Sequence, residues 1–315
     1  MTDNSLILQL KCISKKFDEK LAVDCLSLDV PKGVIYGIIG PNGAGKTTTI
    51  RMIMNIIIPD NGNILFEGGN LAKNIRDKIS YLPEERGLYK KMTCSEIIAY
   101  LASLKNFPKT KTKERTDYWL RRVELHDYKD RKVEELSKGM QQKLQFVTTI
   151  INEPNLLILD ELFSGLDPLN MELIKEIILE LKESGKTVLF STHVMEQAEK
   201  LCDHICMISQ GHKVLDGQLS EIKSKFGENR IQLEIDGDAQ QLRDIAGIKN
   251  IRELNNYLEL SLEENTNRHE LMKSILERVN VRRFDTSEPS LYNIFIDLAK
   301  IDPNQLNNIR GQVDE

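Results

Sequence analysis

Residues 34–55, VIYGIIGPNGAGKTTTIRMIMN, join an aliphatic run to a helical pattern through a loop of the form G-x-x-x-x-G-K-T. The run ending at Gly40 reads as a buried strand, and the segment from Lys46 to Asn55 reads as a helix. Glycines in such a loop let the backbone turn its N–H groups toward phosphate oxygens, and the helix that follows presents its positive dipole end to the same anions. Gly40, Pro41, Asn42, Gly43, Ala44, Gly45, Lys46, Thr47 and Thr48 are therefore candidate nucleotide-binding residues. Lys46 is expected to reach the β- and γ-phosphates of ATP, and the Thr47 hydroxyl to hold Mg²⁺.

Two further apolar runs support the same site. Leu156-Leu157-Ile158-Leu159-Asp160-Glu161 reads as a strand buried on both faces that ends in two carboxylates, at the sheet edge where ligands bind in parallel α/β folds. Asp160 is suited to orient Mg²⁺ through its water shell, and Glu161 to polarise an attacking water as general base. Thr187–Phe190 is a similar strand, and Ser191-Thr192-His193 follows it, which sets His193 at the same edge.

Short apolar runs alternate with helix-length amphipathic segments over the first two thirds of the chain, so the fold class is α/β. Expected strands are Leu6–Lys11, Val34–Ile39, Asn63–Glu67, Leu156–Leu159, Thr187–Phe190 and Ile205–Ser209. Expected helices are Lys46–Asn55, Pro168–Glu183 and Val194–Leu201. Strand signals vanish over about 92–153, where helical patterns at Ser95–Lys105, Lys113–Val123 and Ser137–Asn152 suggest an inserted helical subdomain. The first domain is expected to span 1–226. Residues 227–300 then read as strand, helix, strand, strand, helix, strand, helix, an order that suggests a small α+β accessory domain of split βαβ, ferredoxin-like type. The helix pieces in that region are placed at Ala239–Ala246, Arg268–Val279 and Leu291–Leu298. A polar tail occupies 301–315.

The 315 residues are 40% hydrophobic and 29% charged, as in ordinary globular proteins. A net charge of -5 gives no electrostatic reason to expect nucleic acid as partner. The apolar stretch Met52–Ile58 is interrupted by Asn55 and stopped by Pro59, far short of a bilayer span. The N-terminal residues lack the layout of a secretory signal, so a cytoplasmic location is expected. Five cysteines, odd in number and irregularly spaced, argue against a disulfide framework. Cys202, His204 and Cys206 read as parts of a buried strand rather than as metal ligands.

The motifs as a set resemble the ATPase subunit of ATP-binding-cassette transporters, built on a P-loop NTPase core. The resemblance rests on Phe17, the loop Gly40–Thr48, Tyr81-Leu82-Pro83-Glu84-Glu85, Leu136-Ser137-Lys138-Gly139-Met140-Gln141, the strand ending at Asp160-Glu161, Ser164-Gly165-Leu166-Asp167 and Ser191-Thr192-His193. The Leu-Ser-x-Gly element, with Ser137 lying 23 residues before Asp160, is the most specific part. By this resemblance Phe17 stacks on adenine, and Glu84 stands where the family usually has a glutamine that touches Mg²⁺ and couples the site to the membrane partner. Ser137 and Gly139 face the γ-phosphate bound by a second subunit, Asp167 lies at the dimer interface, and His193 contacts the γ-phosphate.

The resemblance further implies a homodimer or a pair with a paralogous ATPase subunit, a separate transmembrane permease, and a peripheral position on the inner face of the cell membrane. Glu288–Ile296 resembles the accessory region on the ATPases of bacterial exporters that extrude sodium or antibiotics. A soluble member of the superfamily, acting in translation or DNA repair, is the alternative. A single signature motif, with 89 residues between Thr47 and Ser137, favours transport.

Overall fold

The computed structural model describes residues 5–70, 78–85, 87–227, 230–253, 257–263, 266–286 and 289–299. The expected tail 301–315 and Glu288 lie outside these residues. The chain divides into two compact units between Gly217 and Gln218.

In the first unit, β1 (Leu6–Phe17) and β2 (Lys20–Pro31) form a long antiparallel hairpin that turns at Asp18-Glu19, with Phe17 opposite Lys20. β3 (Ile35–Ile39) follows, then the phosphate-type loop and α1 (Lys46–Ile53). β4 (Asn61–Phe66) and β5 (Gly69–Asn70) join the hairpin, giving the order β2-β1-β4-β5. β1 is thus twice as long as its apolar run suggests, and β2 is a strand beyond those expected. Bulges in the β1–β2 ladder explain both, because they break the alternation by which a strand is recognised. Cys12 and Cys25 lie at one of these irregularities and are joined by a disulfide. This corrects the expectation from cysteine count. Cys94, Cys202 and Cys206 are buried thiols.

β6 (Ile79–Leu82) leads to a helical stretch made of α2 (Cys94–Leu104), α3 (Lys109–Arg122), single 3₁₀ turns at His126–Tyr128 and Val133–Glu135, and α4 (Lys138–Ile150). Thr93 starts α2 with a reciprocal cap: its hydroxyl accepts from Glu96 N–H while the Glu96 carboxylate accepts from Thr93 N–H. The chain returns through β7 (Leu156–Asp160), α5 (Pro168–Glu183), β8 (Thr187–Thr192), α6 (Met195–Leu201), β9 (His204–Ser209) and β10 (His212–Gln218).

Among the described residues the second sheet has the order β10-β9-β3-β8-β7-β6. Every residue of β3, β7 and β8 is buried, which is why these parallel strands read as unbroken aliphatic runs. Their register positions the site. Ile39 pairs with Thr192, Asp160 with Ser191, and Leu82 with Leu159. The residues that follow, Gly40, His193, Glu161 and the Pro83-Glu84 turn, therefore leave the sheet at one common edge.

The second unit begins with α7 (Leu219–Gly227), so this helix counts with the C-terminal part instead of closing the first. β11 (Arg230–Asp236), β12 (Ile248–Glu253), β13 (Leu258–Leu262) and β14 (Asn280–Asp285) form an antiparallel sheet of order β12-β13-β11-β14, with α8 (Arg268–Leu276) between β13 and β14 and α9 (Leu291–Ala299) at the end. This is the strand order of a split βαβ arrangement. Its expected first helix is reduced to the 3₁₀ segment Ala239–Leu242, started by Asp238 and closed before Gly247 at positive φ. Ile231, Leu233, Leu260, Leu271 and Ile275 make the core of this unit.

Candidate nucleotide site

Gly45 precedes α1 at φ 109°, and a Cβ there would stand 2.5 Å from the carbonyl oxygen of Ala22 on β2. Glycine is required both for the turn and for this close approach. The loop is thereby pressed against the β1–β2 hairpin, which brings Phe17 to the mouth of the same cleft. That cleft, about 470 Å³, is lined by Phe17, Asn42, Gly43, Gly45, Lys46, Thr47, Thr48, Glu84, Glu161 and His193, together with Lys20, Ala22 and Ser164. Phe17 keeps 44% of its surface exposed, unusual for a phenylalanine and consistent with a face left open to a flat ring.

Lys46 is buried at the base of the cleft and donates to the carbonyls of Gly40 at 2.9 Å and Pro41 at 3.1 Å. Its Nζ lies 3.6 Å from Glu161 Oε1. Glu161 in turn places both carboxylate oxygens 3.0 Å from His193 Nδ1. Lys46, at the start of α1, thus forms one contiguous row with Glu161 and His193, the residues that follow β7 and β8. Glu161 has φ 51°, a conformation that costs a non-glycine residue of order 1 kcal/mol or more. Its backbone is held there by Ser191, whose carbonyl and hydroxyl oxygens each accept from Glu161 N–H at 3.2 Å.

Asp160 is fully buried one residue earlier. Ser191 Oγ donates to Asp160 Oδ1, Thr47 Oγ1 approaches the same oxygen at 3.5 Å, and Tyr81 Oη donates to Oδ2 at 3.3 Å. Burial, followed by the nearby Asp160 charge, pushes the Tyr81 hydroxyl up to about 12, so it remains a donor at any ordinary pH. A threonine hydroxyl beside a buried carboxylate is a hard-oxygen pair, the donor chemistry that suits Mg²⁺. Among the described residues no three His, Cys, Asp or Glu side chains form a metal cage. A cation held by one or two protein oxygens, with phosphate and water supplying the rest, needs no such cage.

Ser137, Gly139 and Asp167 are not part of this cleft. Ser137 caps α4 by accepting from Met140 N–H at 3.2 Å. Asp167 caps α5, accepting from Asn170 N–H at 3.0 Å, and the Asn170 backbone and side chain together hold its carboxyl below the usual range. A Cβ on Gly139 would lie 3.9 Å from Asn170 Nδ2, so the starts of α4 and α5 adjoin and form a second patch. Gly40, Pro41, Ala44 and Asp160 are not among the residues that line the cleft.

Lys20 and Ala22 lie on the strand that sequence reading leaves out. Ser191 and Tyr81 belong to motifs already singled out, yet their bonds to Asp160 depend on which strands flank β7, and nothing in local spacing reveals that.

Residues 23–164 match the ABC transporter family, and residues 217–299 match the C-terminal domain of DrrA1-3-like ATP-binding proteins. An uncharacterised ABC transporter ATP-binding protein of Bacillus subtilis, YhaQ, is 42% identical over 92% of this chain and 98% of its own length. The linearmycin resistance ATP-binding protein LnrL of the same organism is 31% identical over 93% of this chain and 98% of its own. The Nod factor export ATP-binding protein I of Cupriavidus metallidurans is 35% identical over 76% of this chain and 80% of its own. A solved ATP-binding subunit of an ABC transporter superposes with a TM-score of 0.66 at 32% identity, covering 70% of this chain and 93% of that one. Phosphate loop, acidic strand end and histidine edge thus coincide with family-wide similarity: the chain belongs to the ATP-binding subunits of ABC transporters, which hydrolyse ATP to drive transport.

Proposed function

We propose that this chain powers an exporter, binding MgATP between Phe17 and the Gly40–Thr48 loop and completing each site with Ser137 and Gly139 of a second subunit. The observation that carries the proposal is the row Lys46–Glu161–His193 at the sheet edge, beside Asp160.

In this reading Phe17 stacks on the adenine, the loop N–H groups and Lys46 hold the phosphates, and Thr47 and Asp160, with Glu84 of the cleft lining, would hold Mg²⁺. The cation supplies charge neutralisation at the β- and γ-phosphates. Glu161 accepts the proton of the attacking water. His193 Nδ1 lies 3.0 Å from both Glu161 carboxylate oxygens, and in the imidazolium form it donates there while Nε2–H is offered to the γ-phosphate. The N-terminus of α4 and the Ser137 hydroxyl supply donors to the γ-phosphate across the interface, and Asp167 links the two sites.

Closure of two subunits around ATP and their release after hydrolysis then move an attached transmembrane permease, with this chain peripheral on the inner face of the membrane. No helix among the described residues is long and apolar enough to cross a membrane, which is consistent with a separate permease. Export as the direction of transport is supported by the export and resistance proteins among the relatives and by the C-terminal match.

Glu161→Gln tests the assignment. ATP turnover is expected to fall at least about a hundredfold, while ATP drives the variant into a stable dimer by light scattering. Normal turnover in the variant would refute the role of Glu161, and ATP-independent mass would refute ATP-driven dimerisation.

A further inference from the structure

Asp160 is gripped from both sides of its strand. On β8, Ser191 Oγ donates to Oδ1; on β6, the Tyr81 hydroxyl donates to Oδ2 at 3.3 Å. The register explains the second contact. Tyr81 pairs with Ile158, and Ile158 and Asp160, two residues apart, share a face of β7. A phenylalanine at position 81 would fill the same space but stop short of the carboxylate. A phenol is long enough to reach one residue pair further along the strand.

The strand that carries Tyr81 is itself held. Lys105, at the end of α2, donates through Nζ to the Ile79 carbonyl at 2.8 Å and to Ser80 Oγ at 2.7 Å. Beyond Tyr81 the chain runs through Leu82 and Pro83 directly to Glu84, which lines the cleft. One side chain therefore joins the buried carboxylate to the strand that anchors α2 and leads into the Glu84 turn.

We infer that Tyr81 is a positioning residue for the metal site: its hydroxyl fixes the carboxylate plane of Asp160 so that Oδ1 faces Thr47, and it makes that orientation depend on where β6 stands. Displacement of β6, by movement of α2 or of the Glu84 turn, withdraws the hydroxyl and loosens the hold on the cation. The inference rests on the MgATP reading above. Partners of this kind, one bond removed from the ion, typically account for tenfold or more in metal affinity.

The test uses the full-length chain with a non-hydrolysable ATP analogue and Mn²⁺ as an EPR-visible stand-in for Mg²⁺. Tyr81→Phe is expected to weaken Mn²⁺ binding about tenfold, and to leave metal-free binding of the analogue within about twofold. Tyr100→Phe, which alters a tyrosine set edge-on against Tyr89, should change neither. In an Asp160→Asn background the Tyr81→Phe change should add less than about twofold, because the bond it removes has lost its charged acceptor.

Unchanged Mn²⁺ affinity in Tyr81→Phe overturns the inference. So does a parallel loss of metal and nucleotide binding, which marks a purely structural role. Failure of the wild-type chain to bind Mn²⁺ with the analogue overturns the MgATP reading itself, and the inference with it.

Discussion

Gln142 offers a sharp separation of stability from catalysis. It is buried on α4, and its Nε2 donates to the carbonyls of Leu162 and of Ser164, the latter at 3.2 Å, in the loop that follows Glu161. Its Oε1 is buried and has no partner among the described residues. Replacement by leucine, of similar volume, removes two hydrogen bonds and leaves the buried Leu162 carbonyl without this donor, a cost of about 1–3 kcal/mol. It also removes a buried oxygen without a partner, a relief of about 1–3 kcal/mol. The two effects oppose each other at similar size, so unfolding in urea should show a change within about 1 kcal/mol. Activity has no such compensation. The loop from Leu162 to Ser164 loses its anchor next to the left-handed Glu161, and small misplacements of a catalytic group cost tenfold to a hundredfold in rate. Gln142→Leu should therefore reduce kcat for ATP hydrolysis about tenfold with unfolding midpoint nearly unchanged. A loss of stability above about 3 kcal/mol with kcat intact would show that Gln142 serves packing alone and would refute the anchoring role.

Within the C-terminal unit, Arg230 pairs with Glu259, only 4% exposed, and with Asp297 of α9 at 2.6 Å. Arg230→Ala leaves a buried carboxylate uncompensated and should destabilise that unit by about 3–5 kcal/mol. Arg282→Ala removes an exposed pair with Asp236 and should cost under about 1 kcal/mol. Hydrogen exchange over 230–299 distinguishes the two, and equal protection in both variants would refute the argument. Glu67 provides the pH prediction. The Lys78 hydrogen bond, helped by Asn155, holds its carboxyl below the ordinary 4.5. The folded-state value is depressed, so the stabilisation is present above the unfolded pKa and is lost as pH falls through the folded one. Glu67→Gln should flatten the acid limb of a melting-temperature profile below about pH 4.5, and an unchanged limb would remove Glu67 from the account.

The parts of the fold legible in the sequence are those whose residues report their own surroundings. β3, β7 and β8 lie between two layers, and unbroken aliphatic runs announce that burial directly. α5 begins at Pro168 after an aspartate cap, and its limits agree with the sequence reading at both ends. β10, His212–Gln218, is an edge strand of mostly polar, half-buried residues and gives no such signal. β6 has four residues, too few for any periodicity to register. In the site, glycine spacing identifies the phosphate loop because backbone geometry restricts which residue can stand at Gly45. The roles of Tyr81, Ser191 and Gln142 follow from pairing between distant strands and helices, and no local pattern encodes them.

That distinction has a physical basis in how the acidic strand end is built. Asp160 and Glu161 are adjacent in sequence but point into different environments. Asp160 is fully buried under donors from three elements, whereas Glu161 turns out through a left-handed backbone into the cleft beside Lys46 and His193. Two neighbouring carboxylates in one pocket would repel and share a proton. The left-handed turn, held by the Ser191 carbonyl and hydroxyl, separates them and gives each its own donors. Ser191 serves both residues at once: its hydroxyl donates to the Asp160 carboxylate and accepts from the Glu161 backbone N–H. The strand before His193 thus sets both the buried Asp160 carboxylate and the cleft-facing Glu161 backbone from a single residue. The left-handed backbone at Glu161 sits beside Ser191, whose carbonyl and hydroxyl oxygens hold it.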